Sequence, residues 1–227
     1  MSTTSIVALS LEVALGGMLL ALPFALAAAW LLSRVEFPGK WIFDAIVNAP
    51  LVLPPVVIGY LLLATFGARA PVGAWLLAQL HLQLIFTTAG ATLASAVMGL
   101  PLMVRGIRLS FDSVDGRLET AARTLGAGPF DVFTSVTLPL ILPGVVSGCL
   151  LGFARGLGEF GATITFAGNI EGETRTLPLA IYTALNSIQD QEVHQLVGIS
   201  LLIACVAIGV AGFLERRVQL YVGKRRA

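Results

Sequence analysis

Five uncharged apolar runs divide the chain, at residues 13–33, 45–68, 82–104, 132–154 and 195–214. Each is close to the roughly 20 residues that a helix needs to cross about 30 Å of hydrocarbon. They predict an all-α, polytopic membrane helical bundle with five transmembrane helices, at about 11–33, 45–67, 82–104, 136–158 and 194–214, in one domain over 10–215. A sixth apolar run, Thr176–Gln189, is about 14 residues long and contains Pro178. That length suits a re-entrant or interfacial half-helix better than a crossing. Between the third and fourth runs the pattern changes character. In the polar stretch 105–137, Val114, Leu118, Ala121, Ala122 and Leu125 recur at helical spacing on one face. Asp112, Ser113 and Asp115 can accept from the free amides of a first turn. Glu119 precedes Arg123 by four residues, the favourable order for an ion pair along a helix. Gly126-Ala127-Gly128-Pro129 then ends the helix, and Asp131 can cap a second turn into the next span. A helix–turn–helix this short buries no core of its own. Its apolar face must dock on its own spans, on lipid or on a partner.

Proline and glycine are concentrated inside the apolar runs: Pro23 in the first, Pro50, Pro54, Pro55 and Gly59 in the second, Pro101 in the third. Each proline removes a backbone donor, and neighbouring helices must satisfy the freed carbonyl. Interrupted helices near the midplane line transport routes, and single prolines also make ordinary kinks. The Pro54-Pro55 pair is the candidate for a route. Gly16-Gly17, Ala25–Ala29 and Gly148/Gly152 suit close helix packing.

Composition agrees with the periodicity. Of 227 residues, 56% are hydrophobic and 12% charged, with a mean hydropathy of +0.89, against about 25% charged in a soluble domain. The charges are segregated. With five spans and the C-terminus inside, inner segments hold Arg34, Lys40, Arg105, Arg108, Arg117, Arg123, Arg216, Arg217, Lys224, Arg225 and Arg226, while outer segments hold only Arg69 and Arg175. The excess of basic residues on the inner side places the N-terminus outside and the stretch 105–137 in the cytosol. No basic segment precedes the first apolar run, which reads as an uncleaved span. Cys149 and Cys205 fall within spans and read as small packing residues. His81 and His194 lie near span ends with no second ligand at metal spacing. The chain carries no phosphate loop, no H-E-x-x-H and no G-x-S-x-G. No catalytic residue, metal site or cofactor follows from it, and nothing marks it for nucleic acid.

Arg155 and Glu159 end the fourth run, one helical turn apart. Unpaired against lipid at the bilayer centre, each costs about 2.5–3.5 kcal/mol, so they face the protein or water, and can face each other. Two readings stand: a neutralised pair that orients the helix, or a route element in which Arg155 attracts an oxyanion and Glu159 keeps it from being trapped. Thr163, Thr165 and Asn169 follow, with groups able to hydrogen-bond tetrahedral oxygens.

The stretch around Ala121-Ala122 also carries a resemblance. Ala121-Ala122, Gly126, Val136 and Leu138-Pro139 fall at the spacings of E-A-A, three residues, G, nine residues, I-x-L-P, the hallmark of the inner-membrane permease subunits of binding-protein-dependent ABC importers. Val136 stands for the Ile, and Thr120 for the Glu, with Glu119 one position earlier. The segments 117–126, 154–163 and 176–182 resemble the molybdate permeases in particular. The resemblance implies a type I importer fold and a homodimer. It also implies a cytosolic ATPase gripping the 105–137 loop, an extracytoplasmic oxyanion-binding protein and a place in the inner-membrane lipid. It implies that Leu118, Ala121, Ala122, Leu125 and Gly126 carry the coupling, with Arg117, Glu119 and Arg123 at its polar rim and Leu138-Pro139 closing the motif. Molybdate is the expected substrate, and tungstate, sulfate or thiosulfate the alternative. ATP hydrolysis would belong to the partner.

Overall fold

The computed structural model describes residues 2–187 and 190–226, and every regular element among them is helical. Helix α1 (Thr3–Arg34) starts where Ser2 accepts from the Ser5 amide. It begins ten residues ahead of the first apolar stretch. After Gly39, with φ +84°, come α2 (Lys40–Val52) and α3 (Pro55–Phe66). The second apolar run was expected to be one span, but its helix breaks and turns through 116°. The cause is local: Leu53, preceding a proline, is pushed out of the helical region, and Pro55 begins a new helix at its first position. A short helix not anticipated from the sequence, α4 (Pro71–Leu80), leads to α5 (Thr88–Asp112). Helix α5 begins six residues later than the span expected from 82 and runs eight past 104. Helix α6 (Gly116–Thr124) follows, then α7 (Pro129–Leu157), which contains a π-helical turn at Phe133–Thr137. That turn lies just ahead of Pro139, whose ring would clash with the carbonyl four residues back in a regular helix. The expected 105–137 loop is therefore mostly the ends of two long helices with α6 between them.

Helices α8 (Gly161–Phe166), α9 (Leu177–Asn186) and α10 (Asp190–Arg226) complete the chain. The sixth apolar run forms α9, a ten-residue helix; positions 188 and 189 of that run lie outside the described residues. Helices α1, α5, α7 and the 191–214 part of α10 are each long and apolar enough to cross a membrane, and the bent α2–α3 pair qualifies only jointly, giving four or five crossings.

The centre is the α1–α5–α7 seam. Ala21, Ala25, Ala28, Ala29 and Leu32 pack against Met103, Val104, Ile107, Phe111 and Ile141. A Cβ at Gly106 would lie 3.1 Å from Gly148 Cα, and one at Gly99 would lie 3.1 Å from the Gly152 carbonyl. Between lipid-bathed helices, such backbone approach supplies the contact energy that hydrophobic burial supplies in water. A second cluster joins Ile58 and Leu62 of α3 to Ala94, Met98, Ala162 and Phe166. Helix α10 touches α7 and α9, and its described side chains between 191 and 210 are mostly exposed, Leu196 being buried.

Candidate functional site

Helix α6 buries none of its residues. Asp115 starts it by accepting from the Arg117 amide at 2.9 Å. Its end is closed by Ala127 N–H donating to the Ala122 carbonyl (3.1 Å) and Gly126 N–H to the Arg123 carbonyl (3.0 Å). That double closure needs a left-handed residue, supplied by Gly126 at φ +91°. Leu125 is 89% exposed and Leu118 48%. Ala121, Arg117 and Arg123 are exposed and Ala122 is half-buried. An apolar ridge flanked by guanidinium groups is thus presented outward. Val114, expected on this ridge, precedes α6 and is buried with Phe111 in the central core. Leu138 and Pro139 lie in α7, where Leu138 packs on that same core, away from the exposed face.

Glu119 does not sit at the rim of this face. Its carboxylate accepts from Arg34 Nη2 at 3.3 Å and from Thr137 Oγ1 at 2.8 Å. The ion pairs among the described residues include Arg34–Glu119 and none between Glu119 and Arg123. Thr120, in the place of the motif's acidic residue, turns its hydroxyl back to the Gly116 carbonyl. Beside these groups, Trp30, Arg34, Glu119, Arg123, Phe130 and Phe133 line a groove of about 800 Å³.

Nearby, α2 is fastened to α5 by polar contacts that sequence reasoning missed. Arg108 reaches Asp44 of α2 (3.4 Å) and Arg105 Nε donates to Asn48 Oδ1 of α2 at 2.8 Å, while Arg108 is also held by Asp112 of its own helix (3.8 Å), to which Ser33 of α1 donates. The signal was present as two spacings, Asp44/Asn48 and Arg105/Arg108, each on one helical face. It became readable only once α2 was known to lie along α5.

The second region is the break between α7 and α8. Arg155 Nη1 lies 2.6 Å from Glu159 Oε2, with the Glu159 side chain 1% exposed. The other carboxylate oxygen accepts from the Ala162 amide at 2.8 Å, capping the start of α8. Helix α3 packs on α8 backbone to backbone, since a Cβ at Gly161 would lie 2.8 Å from Pro55 Cβ and one at Gly59 2.8 Å from the Ala162 carbonyl. The two interrupted helices therefore meet at their interruptions, with Pro55 against Gly161 and Gly59 against Ala162 and Thr165. Pro54 is exposed and Arg155 half-buried. Thr163 is buried, and the Thr165 hydroxyl donates to the Gly161 carbonyl at 2.8 Å. Asn169 stands apart: its amide donates to Thr183 (2.8 Å) and its carbonyl accepts from Arg175 (3.0 Å), tying the loop after α8 to α9. The Thr165 hydroxyl proton and one of the two Asn169 amide hydrogens are thus committed within the protein. Among the described residues no cluster of His, Cys, Asp and Glu has the makings of a metal site.

Comparison with known proteins gives a consistent answer. The family described as "Binding-protein-dependent transport system inner membrane component" matches residues 21–225. The chain is 50% identical over 211 residues to the molybdenum transport system permease protein ModB of Escherichia coli K12, covering 92% of each. It is 34% identical to the sulfate transport system permease protein CysW of Synechocystis, over 86% of this chain and 70% of that one. Among solved structures, a chain of a bacterial ABC transporter involved in the import of the acidic polysaccharide alginate superposes with a TM-score of 0.75. The match is at 16% identity and covers 96% of this chain and 80% of that one.

Proposed function

The chain belongs to the binding-protein-dependent transport system inner membrane component family, and from that premise we propose that it is the permease through which an ATP-driven importer passes molybdate. It is an integral membrane subunit of the ABC permease type, a non-enzymatic part of its transporter. The observation that carries the substrate is the 50% identity to a molybdenum permease over nearly the whole of both chains. The sulfate permease relative supports sulfate, with tungstate and thiosulfate, as the second reading.

In this reading two copies assemble around a two-fold axis, each with five spans in the 10–215 domain, counting α2–α3 as one. The N-terminus is outside and the C-terminus cytoplasmic. The 105–137 segment faces a cytosolic ATPase, and an extracytoplasmic binding protein delivers the ion. The exposed ridge of Leu118, Ala121 and Leu125, with Arg117 and Arg123 beside it, is the docking face. Gly126 fixes where it ends, and Ala122, Leu138 and Pro139 support it from beneath. Closure of the ATPase dimer moves α6, and the bundle rocks between inward-open and outward-open states. The junction of Pro54, Pro55, Arg155, Glu159, Thr163 and Thr165, with Asn169 bracing the loop behind it, borders the route. One neutralised arginine there suits passage, because a dianion held tightly along the channel would bind and not leave. Discrimination then falls to the binding protein.

The test is uptake of labelled molybdate into vesicles holding the permease, its ATPase and the binding protein, with tungstate, sulfate and thiosulfate as competitors. ATP-dependent uptake of molybdate is expected. Uptake of sulfate in preference to molybdate would install the second reading. Leu125→Asp, which puts a carboxylate on the most exposed apolar side chain of α6, should strip the ATPase from the purified complex while the spans remain inserted. An undiminished ATPase yield would remove α6 from the docking face.

A further inference from the structure

We propose that Glu119 is a positioning residue, a strap that carries the displacement of α6 directly into the ends of α1 and α7, and that it makes no contact with the ATPase. The inference rests on the transport reading above and concerns how the same site works.

The argument starts from how α6 is attached. Its covalent link to α7 runs through Gly126, Ala127 and Gly128. That connection contains two glycines and a left-handed turn, and it enters the first turn of α7. Between that turn and the long part of α7 lies the π-helical turn Phe133–Thr137. A push on α6 delivered to α7 through the chain alone must cross a pliable connection and then a widened turn. The Glu119 carboxylate avoids both. It accepts from the hydroxyl of Thr137 (2.8 Å), the residue that closes the π turn. From there α7 continues unbroken as an α-helix to Leu157. The same oxygen is 3.3 Å from Nη2 of Arg34, the last residue of α1, 85 positions away in the chain. One oxygen atom therefore joins α6 to two helices that pack on each other along the central seam.

The outward geometry agrees. The Glu119 side chain is 17% exposed, and the exposed side of α6 carries Leu118, Leu125, Arg117 and Arg123. Thr120 is bonded to its own helix, and Glu119 is the one carboxylate within Gly116–Thr124, with Asp115 at the exposed cap. The acidic group has been drawn inward.

Two measurements test this. In the permease alone, Glu119→Ala should raise amide hydrogen exchange across 116–124 and at the end of α1, with the α5–α7 seam unchanged. In the full transporter the same variant should retain its bound ATPase and its substrate-stimulated hydrolysis, while ions imported per ATP fall about tenfold, within the range of coupling free energies between distant sites. The exchanged pair Arg34→Glu/Glu119→Arg should restore most of that ratio. Thr137→Val, which removes only the hydroxyl, keeps the test open if the alanine variant folds poorly, with a loss of about threefold expected for one hydrogen bond. Three results overturn the strap: unchanged exchange in 116–124, an unchanged ratio of ions to ATP, or loss of the ATPase from the Glu119→Ala complex. If Glu119→Ala raises exchange in the permease alone while the wild-type complex drives no ATP-dependent import, the transport reading is refuted instead.

Discussion

Two arginine–glutamate pairs sit near opposite ends of the long part of α7, about 27 Å apart at 1.5 Å per residue, and they are built for different work. Arg155 and Glu159 are four residues apart on one stretch of chain. Glu159 is buried, and its second oxygen caps α8. That pair sets the direction in which the backbone leaves α7, and it lets α8 begin where α3 can lie against it. Arg34 and Glu119 come from distant parts of the chain, with the arginine about a quarter exposed, and they join three elements through one oxygen. The first pair fixes a break in a helix. The second ties α6, through one side chain, to two helices that already pack on each other. Burial decides which is costly to lose, and connectivity decides which can transmit movement.

Removing Glu159 should therefore have the largest effect on stability. Glu159→Ala leaves the Arg155 guanidinium without its partner and the Ala162 amide without its cap. Breaking a buried pair on one side costs about 3–5 kcal/mol, and the partial exposure of Arg155 puts the expected value at the lower end, about 3 kcal/mol. Thermal unfolding of the detergent-purified protein measures it. Glu119→Ala, removing a carboxylate 17% exposed against 1% for Glu159, should move the same midpoint less. Equal losses would erase the distinction between the two pairs.

The seam between the pairs comes next. If α7 is to carry displacement from one end to the other, it must be held rigidly on α5. Gly106→Val places side-chain atoms where Gly148 Cα already lies 3.1 Å from a Cβ position. Forcing the helices apart there should cost about 1–3 kcal/mol and lower the unfolding midpoint. Gly116, at the start of α6, has nothing within 4 Å of its Cβ position, so Gly116→Ala serves as the control on the unpacked side. A seam that accepts valine without loss is too loose to transmit anything.

These differences also explain what the sequence disclosed. Arg155 and Glu159 could be paired by spacing alone, because four residues on one helix is a fixed geometry. The close approach of Gly148 and Gly152 was likewise legible, since small residues at that interval have one evident use between helices. The end of α6 at Gly126 followed from capping chemistry, whereas its start was left among Asp112, Ser113 and Asp115, of which Asp115 is the cap. Arg34 and Glu119 could not be paired, because nothing local says that the end of α1 lies beneath α6. Spacing therefore offered Arg123, the nearer cation, as the partner for Glu119. The helix limits near 82 and 104 were misplaced for another reason. Hydropathy marks where lipid ends, whereas a helix continues into water as long as its backbone bonds are made, as α5 does to Asp112. Pro54-Pro55 was recognised as an interruption, but a turn of 116° depends on what α3 packs against, and that is the remote α8.

The smallest expected effect sharpens the comparison most at its weak end. Lys40 and Glu36 form a close ion pair, Nζ to Oε1 at 2.7 Å, with the Glu36 side chain 89% exposed. It is shorter than the 3.3 Å contact between Arg34 and Glu119, so by distance alone it would be the stronger of the two. Exposure argues the reverse, because water and salt screen such a pair to about 0–1 kcal/mol. Lys40→Ala should shift the unfolding midpoint by no more than its experimental scatter and leave ions imported per ATP unchanged. A loss of import comparable to that of Glu119→Ala would mean that any charge removed near this surface disturbs transport. The Arg34–Glu119 contact would then owe its effect to surface charge and not to the three helices it joins.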